Sequence, residues 1–266
     1  MEIGTAKPSP SQLQSVPHHF INTHSISQPY NAGLFEVECD KLLDDLFKKH
    51  ALLILTGGSG MYIDAVVNGM DALPPADENI REQLQNEYEE KGISWLQEKL
   101  KALDPESAQK IDMANPRRLM RALEVCMVTG KPYTQFLQKK KKELSYEVIF
   151  IGTDVPRDVL YERINQRVDE MMAAGLKEEV EKLMPFKNHL AMQTVGYKEL
   201  VEFYEGKCTE TEAVEKIKQH TRNYAKRQMT WFRKNKSIQW IDPIDTNRTI
   251  DLINKIIHHG GTEFTE

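Results

Sequence analysis

The chain has 266 residues, of which 40% are hydrophobic, and a formal net charge of -5 at pH 7. This length and apolar content predict one large folded domain, or a domain with an insertion, and argue against a disordered chain. The longest apolar run falls far short of the roughly 20 residues that a transmembrane helix needs. Because the net charge is acidic, any nucleic-acid binding should be confined to local basic patches.

The cysteine and histidine patterns predict no protein-borne metal site and no disulfide framework. Cys39, Cys126 and Cys208 are odd in number and far apart, which is typical of a protein from a reducing cytoplasm. The eight histidines form neither an HExxH motif nor a Cys/His pattern. The start of the sequence also lacks the basic and apolar segments of a signal peptide, so we expect a cytoplasmic protein.

The first quarter of the chain predicts a loop, a helix, a buried strand and a second helix. Residues 8–32 contain four prolines and are predicted to form a loop. Apolar residues spaced by three and four predict a helix from Leu34 to His50, and the run Ala51–Leu55 predicts a strand buried on both faces. The glycine-rich residues 56–60 follow, and Met61–Asn68 is the next predicted helix.

The predicted strand, glycine turn and helix around Ser59 are typical of an α/β protein. Glycines let the backbone approach a ligand closely, and a helix N-terminus favours an anion. The turn lacks the GxxxxGK[ST] pattern of a nucleotide-binding phosphate loop. A tight turn that packs the helix on the sheet is the simpler interpretation of this motif alone, and both interpretations stay open.

Residues 76–145 differ in pattern from the segments on either side. Helical patterns at Ile80–Lys91, Ser94–Leu103 and Pro116–Thr129, with no strand signals between them, predict an all-helical insertion. Residues 1–75 and 146–266 are then the two parts of an α/β core.

Three arginines, Arg117, Arg118 and Arg121, occupy the start of the helix that begins at Pro116. A helix N-terminus attracts anions and disfavours cations, so such a cluster needs an acidic or phosphate partner. Glu124 could pair with Arg121 in an ordinary surface network. An RNA or another phosphate is the other interpretation.

The second half of the chain predicts the remaining strands and helices of the core. Strands are expected at Tyr146–Thr153 and Ser237–Ile241, and helices at Val159–Met184 and Thr249–His259. On the first of these helices Arg163 and Arg167 are one turn apart. They could surround an anionic leaving group, or pair with Glu162 and Asp169 on the same helix.

The most unusual stretch is Lys216–Lys236, which contains eight positive charges and no Asp or Glu. Tyr224, Trp231 and Phe232 lie among these cations. Cations pair with phosphates, and aromatic rings stack on bases or pack in a core. From charge alone, a solvated amphipathic helix and a nucleic-acid surface are equally good interpretations.

Seven motifs in this order resemble those of one family. They are IGTAKP at residues 3–8, VPHH at 16–19, LTGGSGMY at 55–62, NPRRLMRALEV at 115–125, RINQRVDEMMAAGL at 163–176, QTVGYKEL at 193–200 and KRQMTWFRK at 226–234. Over essentially its whole length the chain resembles bacterial tRNA dimethylallyltransferases, also called tRNA isopentenyltransferases.

The resemblance implies a fold and an activity. The fold would be a P-loop-kinase-like α/β core with a parallel sheet and a helical insertion that grips the anticodon stem-loop of tRNA. The activity would be the transfer of a dimethylallyl group from dimethylallyl pyrophosphate to N6 of the adenine beside the anticodon. Mg²⁺ is the implied cofactor, and we expect a monomer.

The resemblance also implies roles for individual residues. Ser59 takes the catalytic position, and Gly57, Gly58, Arg163 and Arg167 lie on the pyrophosphate side. The residues implied to bind tRNA fall in four segments: Arg81; Arg117, Arg118, Leu119, Met120 and Arg121; Gln193, Thr194, Val195, Gly196, Tyr197 and Lys198; and Lys226, Arg227, Gln228, Trp231 and Arg233.

The start of the sequence departs from the family pattern. In the family a strand, a GxTxxGKT phosphate loop and an Asp-Ser motif with the catalytic base precede IGTAKP, whereas this sequence begins at that motif. We therefore expect an N-terminally truncated chain, with the first strand and the phosphate loop missing and with weak or no transfer. The alternative is a fragment that binds tRNA without catalysis.

Overall fold

The computed structural model describes residues 1–5, 7–137, 142–243, 247, 250–252 and 254–255. The helices are α1 (Pro10–Ser15), α2 (Ala32–Phe47), α3 (Gly60–Asn68), α4 (Glu78–Leu103), α5 (Pro105–Lys110), α6 (Pro116–Thr129), α7 (Arg157–Ala173), α8 (Leu176–Leu183), α9 (Tyr197–Tyr204) and α10 (Glu210–Phe232). The strands are β1 (Ile151–Thr153) and β2 (Gln239–Ile241). The fold is therefore α/β and mainly helical.

The chain divides into two compact units. The first comprises residues 1–63 and 146–266, and the second comprises residues 64–145. The insertion that the sequence predicts at residues 76–145 stays a prediction, and the second unit begins earlier, within α3.

The core of the first unit lies among α7, α8, α9 and α10. Val168, Leu176, Tyr197, Leu200 and Ile217 are almost completely buried there. Each comes from the apolar stripe of its helix, so the four stripes cover one another. This packing encloses the N-terminal half of α10, where Ala213 is also buried.

A short parallel sheet completes the first unit. Ile151 of β1 pairs with Gln239 of β2, and the register continues to Thr153 and Ile241. Both strands run in the same direction, so their carboxyl ends meet at one edge. The strands predicted at Tyr146–Thr153 and Ser237–Ile241 are thus present in shortened form.

The predicted buried strand at Ala51–Leu55 is wrong. These residues form an irregular segment without strand pairing, and Leu52 and Ile54 are 53% and 84% exposed. A buried parallel strand needs a hydrogen-bonded neighbour and cover on both faces. Among the described residues the strand pairing joins β1 and β2, and residues 51–55 take no part in it.

The second unit is a helical cluster of α4, α5 and α6. Leu84, Leu96, Leu100, Leu119 and Leu123 form its fully buried core. Glycine ends one helix and bends another: Gly130, with φ of +66°, caps α6, and Gly92, with φ of +75°, kinks α4.

Most predicted helices are confirmed. The patterns at Leu34–His50, Met61–Asn68 and Pro116–Thr129 correspond to α2, α3 and α6, and Val159–Met184 divides into α7 and α8. The predicted loop at residues 8–32 contains the short α1, whose capping box joins Ser9 and Gln12. The helix predicted at Thr249–His259 lies mostly outside the described residues. None of the described helices is long and apolar enough to cross a membrane.

Candidate functional site

The glycine turn that precedes α3 lies directly against the C-terminal half of α10. Gln228 Nε2 donates a hydrogen bond of 2.7 Å to the carbonyl oxygen of Gly58. A methyl group added at Gly58 would overlap the Gln228 amide, and one added at Gly60 would overlap the Trp231 ring. The Trp231 ring therefore requires glycine at position 60, whereas at position 58 the flexible Gln228 amide could move aside, and Ser59 is exposed at the start of α3.

Beside this contact lies a cavity of about 830 Å³ in the first unit. Its walls come from the carboxyl ends of β1 and β2, the first turns of α7 and the C-terminal half of α10. In α/β proteins, ligands bind at this edge of a parallel sheet. The lining residues are Thr153, Asp154, Val155, Pro156, Arg157, Leu160, Tyr161, Ala225, Lys226, Gln228, Met229, Thr230, Arg233 and Asp242.

The cavity is rich in cationic groups. Arg157, Lys226 and Arg233 line it, against the carboxylates of Asp154 and Asp242. Arg233 lies 3.5 Å from Asp154, which is a weak, exposed ion pair. With three cations against two carboxylates, the lining carries a net positive charge, which attracts a phosphate-bearing ligand.

Two guanidinium groups lie over the ring of Tyr161. Arg157 is 5.0 Å from the ring centroid and Arg222 is 6.0 Å from it. Arg222 also donates a 2.6 Å hydrogen bond to Asn165 Oδ1. These contacts fix the cations at the start of α7 and in the middle of α10 relative to the cavity.

The cations of the basic stretch divide into two groups. Near the N-terminal half of α10, Lys216 pairs with Glu202 at 3.2 Å and Lys218 with Asp169 at 2.8 Å. Farther along, Lys226 and Arg227 have no acidic partner in the part of the chain that the structure describes. The first cations of the helix therefore form ion pairs within the protein, whereas Lys226 and Arg227 are exposed to solvent.

Two of the three aromatic residues of the stretch are half-exposed. Tyr224 and Trp231 are each 41% accessible, and Arg227 lies 5.7 Å from the Tyr224 ring. Their exposure disfavours the interpretation of a helix whose aromatic residues are core, and suits stacking on bases.

The second unit carries a separate groove of about 450 Å³. Arg81, Arg117 and Arg121 line it, together with Glu82, Gln85, Met120 and Glu124. Arg121 pairs with Glu124 at 2.8 Å, and Arg81 pairs with the same carboxylate at 2.9 Å. The sequence interpretation of a network between Arg121 and Glu124 is confirmed, while Arg117 and Arg118 remain exposed.

The motif at residues 193–200 is held in place by the buried carboxylate of Glu199. Glu199, which is 2% exposed, accepts the Gly196 N–H at 2.7 Å, and its other oxygen lies 2.6 Å from His220 Nδ1. Gly196 has φ of +99°, a conformation that favours glycine. Gln193, Thr194 and Lys198 are left exposed on the surface.

Two residues expected to bind tRNA have fully buried side chains. Leu119 belongs to the core of the second unit and Tyr197 to that of the first. The Tyr197 hydroxyl accepts the Gly4 N–H at 3.1 Å and donates to Glu179 at 2.5 Å. Burial and the Glu179 carboxylate raise the pKa of Tyr197 far above its usual value. Neither side chain can touch a ligand, because apolar packing has enclosed both.

The arginines expected on the pyrophosphate side do not line the cavity. Arg163 and Arg167 are exposed on α7, and in the described chain neither has an ion pair. Asp169, the neighbour that the sequence suggested for them, pairs with Lys218 instead. Sequence reasoning gave Asp154 and Tyr161 no role. The signal was the position of Asp154 directly after a predicted strand, where α/β proteins carry ligand-binding residues.

A cationic cavity at the carboxyl ends of parallel strands, beside a glycine turn at a helix start, is typical of α/β proteins that bind phosphate groups. Comparison with known families identifies the family within this class. The family model for IPP transferase matches residues 1–235. The chain belongs to the IPP transferase family.

Individual relatives agree with this assignment. A tRNA dimethylallyltransferase of Flavobacterium psychrophilum is 46% identical, over 97% of this chain and 87% of the relative. Among solved structures, the tRNA isopentenylpyrophosphate transferase of Bacillus halodurans has a TM-score of 0.68 at 34% identity, over 97% of this chain and 83% of that one. The corresponding protein of Staphylococcus epidermidis has a TM-score of 0.67 at 32% identity, over 97% and 86%.

Proposed function

We propose that this chain transfers a dimethylallyl group from dimethylallyl pyrophosphate to N6 of the adenine beside the anticodon of tRNA. Membership of the IPP transferase family supports the reaction class. The observation that carries the proposal for this structure is the cationic cavity, whose wall residue Gln228 also holds the Ser59 turn. A cavity of about 830 Å³ is large enough for the reacting groups.

In this reaction the N6 nitrogen attacks the first carbon of the allylic group. The bond from that carbon to the pyrophosphate oxygen breaks, the pyrophosphate leaves with the electron pair, and N6 loses a proton. The barrier falls when cations stabilise the negative charge that develops on the leaving group. We assign this role to Arg157, and the Ser59 hydroxyl would contact the adenine and the departing pyrophosphate.

Mg²⁺ fits the residues present. The described residues hold no cluster of three or more metal-binding side chains. Mg²⁺ needs no such cluster, because it takes substrate phosphates, water and one or two carboxylates as ligands. Asp154 and Asp242 would supply those carboxylates from the cavity wall. When bound, the ion would neutralise charge on the pyrophosphate.

The RNA contacts would come from exposed cations and polar groups. In the first unit these are Lys226, Arg227 and Arg233, together with Gln193, Thr194 and Lys198. Phosphate contacts set the register of the RNA, and the half-exposed Trp231 can stack on a base taken out of the loop. In the second unit Arg81, Arg117, Arg118 and Arg121 would contact phosphates. Arg163 and Arg167 stay a prediction for the pyrophosphate side.

A transfer assay tests the proposal. The chain is incubated with dimethylallyl pyrophosphate labelled in the allylic group, Mg²⁺ and an unmodified tRNA whose anticodon is followed by adenine. Label in the tRNA is the expected result, and a chain that leaves the tRNA unlabelled would contradict the proposal. A tRNA with guanine at the target position is the matched control and should stay unlabelled.

The alternative is a protein that binds tRNA without transferring the group. Tight binding of the same tRNA with no label at any enzyme concentration would favour it. The proposal further takes the chain to act in the cytoplasm as a monomer, and sedimentation with and without tRNA tests the oligomeric state.

A further inference from the structure

We propose that Glu124 is a positioning residue, which holds Arg81 in the orientation that contacts the RNA backbone. Arg121 in turn holds the Glu124 carboxylate in place. The inference rests on the proposed function, because it assumes that Arg81 meets tRNA. It concerns a residue that touches no ligand itself.

The Glu124 carboxylate is buried and held by several protein groups. The side chain is 2% exposed, although it is a carboxylate. Oε1 accepts the Asp77 N–H at 2.9 Å and lies 2.9 Å from Arg81 Nε. Oε2 accepts a 2.8 Å hydrogen bond from Arg121. Both oxygens are thus satisfied, which a buried charge requires.

The two arginines are held in different ways. Arg121 is 28% exposed and also donates to the carbonyl oxygen of Pro74 at 2.8 Å, so it is bound on two sides by the protein. Arg81 is 55% exposed and meets Glu124 through Nε. Within the described ranges its two terminal nitrogens bond to no other group, and these nitrogens form the fork that matches a phosphate.

Electrostatic repulsion alone and a positioning role predict opposite effects on RNA affinity when Glu124 is neutralised. A carboxylate beneath an RNA surface repels the RNA, so neutralising it should tighten binding. If Glu124 orients Arg81, neutralising it should instead weaken binding, because the freed guanidinium samples many rotamers and loses its alignment. The sign of the change therefore distinguishes the two explanations.

The experiment measures the affinity of the full chain for an anticodon stem-loop RNA, by fluorescence anisotropy at two salt concentrations. Arg81→Ala should weaken binding about tenfold. In the unmodified chain, Glu124→Gln should weaken binding by a similar factor. In the Arg81→Ala variant, adding Glu124→Gln should weaken binding by less than about a further twofold. Glu87→Gln is the matched control: it neutralises a glutamate of the same unit that pairs with Lys91 and Lys99, and should change affinity by less than about twofold.

Each failure has a separate meaning. If Arg81→Ala leaves the affinity unchanged, the proposed RNA surface of this unit is wrong. If Arg81→Ala weakens binding but Glu124→Gln tightens it or leaves it unchanged, the positioning role is wrong. If Glu124→Gln weakens binding equally in the unmodified chain and in the Arg81→Ala background, the carboxylate does not act through Arg81 and the positioning role is wrong.

A thermal melt accompanies each affinity. If Glu124→Gln proves unfolded, the same cycle is run with Glu124→Asp, which keeps the charge and withdraws the carboxylate by one methylene group. Glu124→Asp should weaken RNA binding in the unmodified chain and have little further effect in the Arg81→Ala variant, as expected for Glu124→Gln. A Glu124→Asp variant that binds RNA like the unmodified chain would overturn the proposal.

Discussion

Gly60 is the residue whose substitution most directly tests the contact between the glycine turn and α10. Alanine normally stabilises a helix position relative to glycine, by roughly 0.5–1 kcal/mol. Here an added methyl group would overlap the Trp231 ring, so Gly60→Ala should instead lower the free energy of unfolding by about 1–3 kcal/mol. Urea denaturation measures the difference.

Gly57→Ala is the control for that experiment, because a methyl group at Gly57 meets no atom within 4 Å. Its free energy of unfolding should stay within about 0.5 kcal/mol of the unmodified chain. Equal stability of the two variants would show that the turn does not depend on its close approach to α10.

Arg117 and Arg121 occupy one helix start but should respond differently to alanine. Arg117 is exposed, so Arg117→Ala should reduce the slope of log affinity for tRNA against log salt by about one, at constant stability. Arg121→Ala should also lower the free energy of unfolding by about 1–3 kcal/mol, because it removes a partner from buried Glu124. A salt titration and a urea melt of each variant measure both effects, and identical melts would contradict the distinction.

At the scale of the element, the carboxylate of Glu179 ties the chain start to α8. It accepts the N–H groups of Glu2 and Ile3 at 2.9 and 2.8 Å, and the Tyr197 hydroxyl. Burial opposes ionisation, but these hydrogen bonds outweigh it and lower the pKa of Glu179 below its ordinary value of 4.5. Charged Glu179 therefore stabilises the folded state.

The sign of the pH dependence follows from that lowered pKa. The stabilisation is complete above pH 4.5 and is lost as the pH falls through the lowered value. The difference in unfolding free energy between the unmodified chain and Glu179→Gln should thus be largest at pH 7 and shrink in acid. Glu178→Gln, at the exposed neighbouring position, is the control and should show no such trend.

Elements with local signals were predictable, and those that depend on distant partners were not. The bounds of α6 were predicted correctly because Pro116 at its start and Gly130 at its end act within the helix itself. The strand at Ala51–Leu55 failed because a strand exists only beside another strand. Likewise, Asp169 pairs with Lys218, 49 positions away, and sequence spacing suggested nearer arginines.

The candidate site shows the same division. The sequence identified the glycine turn, the basic stretch and the arginine cluster, since each is a compact run of residues. It did not reveal the cavity, which the ends of β1 and β2, α7 and α10 form together. Nor did it show that Tyr197 is enclosed, because burial depends on which helices pack against α9.

On the scale of the whole molecule, the exposed apolar segment at residues 51–55 is a hazard. Apolar backbone without a pairing partner is a template for association between chains. Ile54→Lys should slow aggregation at 37 °C, measured by light scattering, without lowering the melting temperature. Val37→Lys, at a 70% exposed position on α2, is the control and should aggregate like the unmodified chain, because its backbone is already hydrogen-bonded within the helix.

The helix α10 spans 23 residues, or about 34 Å. Ala213 and Ile217 near its beginning are buried, whereas Lys226 and Arg227 near its end are exposed. Its first turns are therefore enclosed by the core, whereas its last turns contact the glycine turn and present Lys226 and Arg227 to solvent. Amide hydrogens should exchange with solvent more slowly in the first turns than in the last, and an RNA docked on Lys226 and Arg227 would slow exchange in the last turns and reduce that difference.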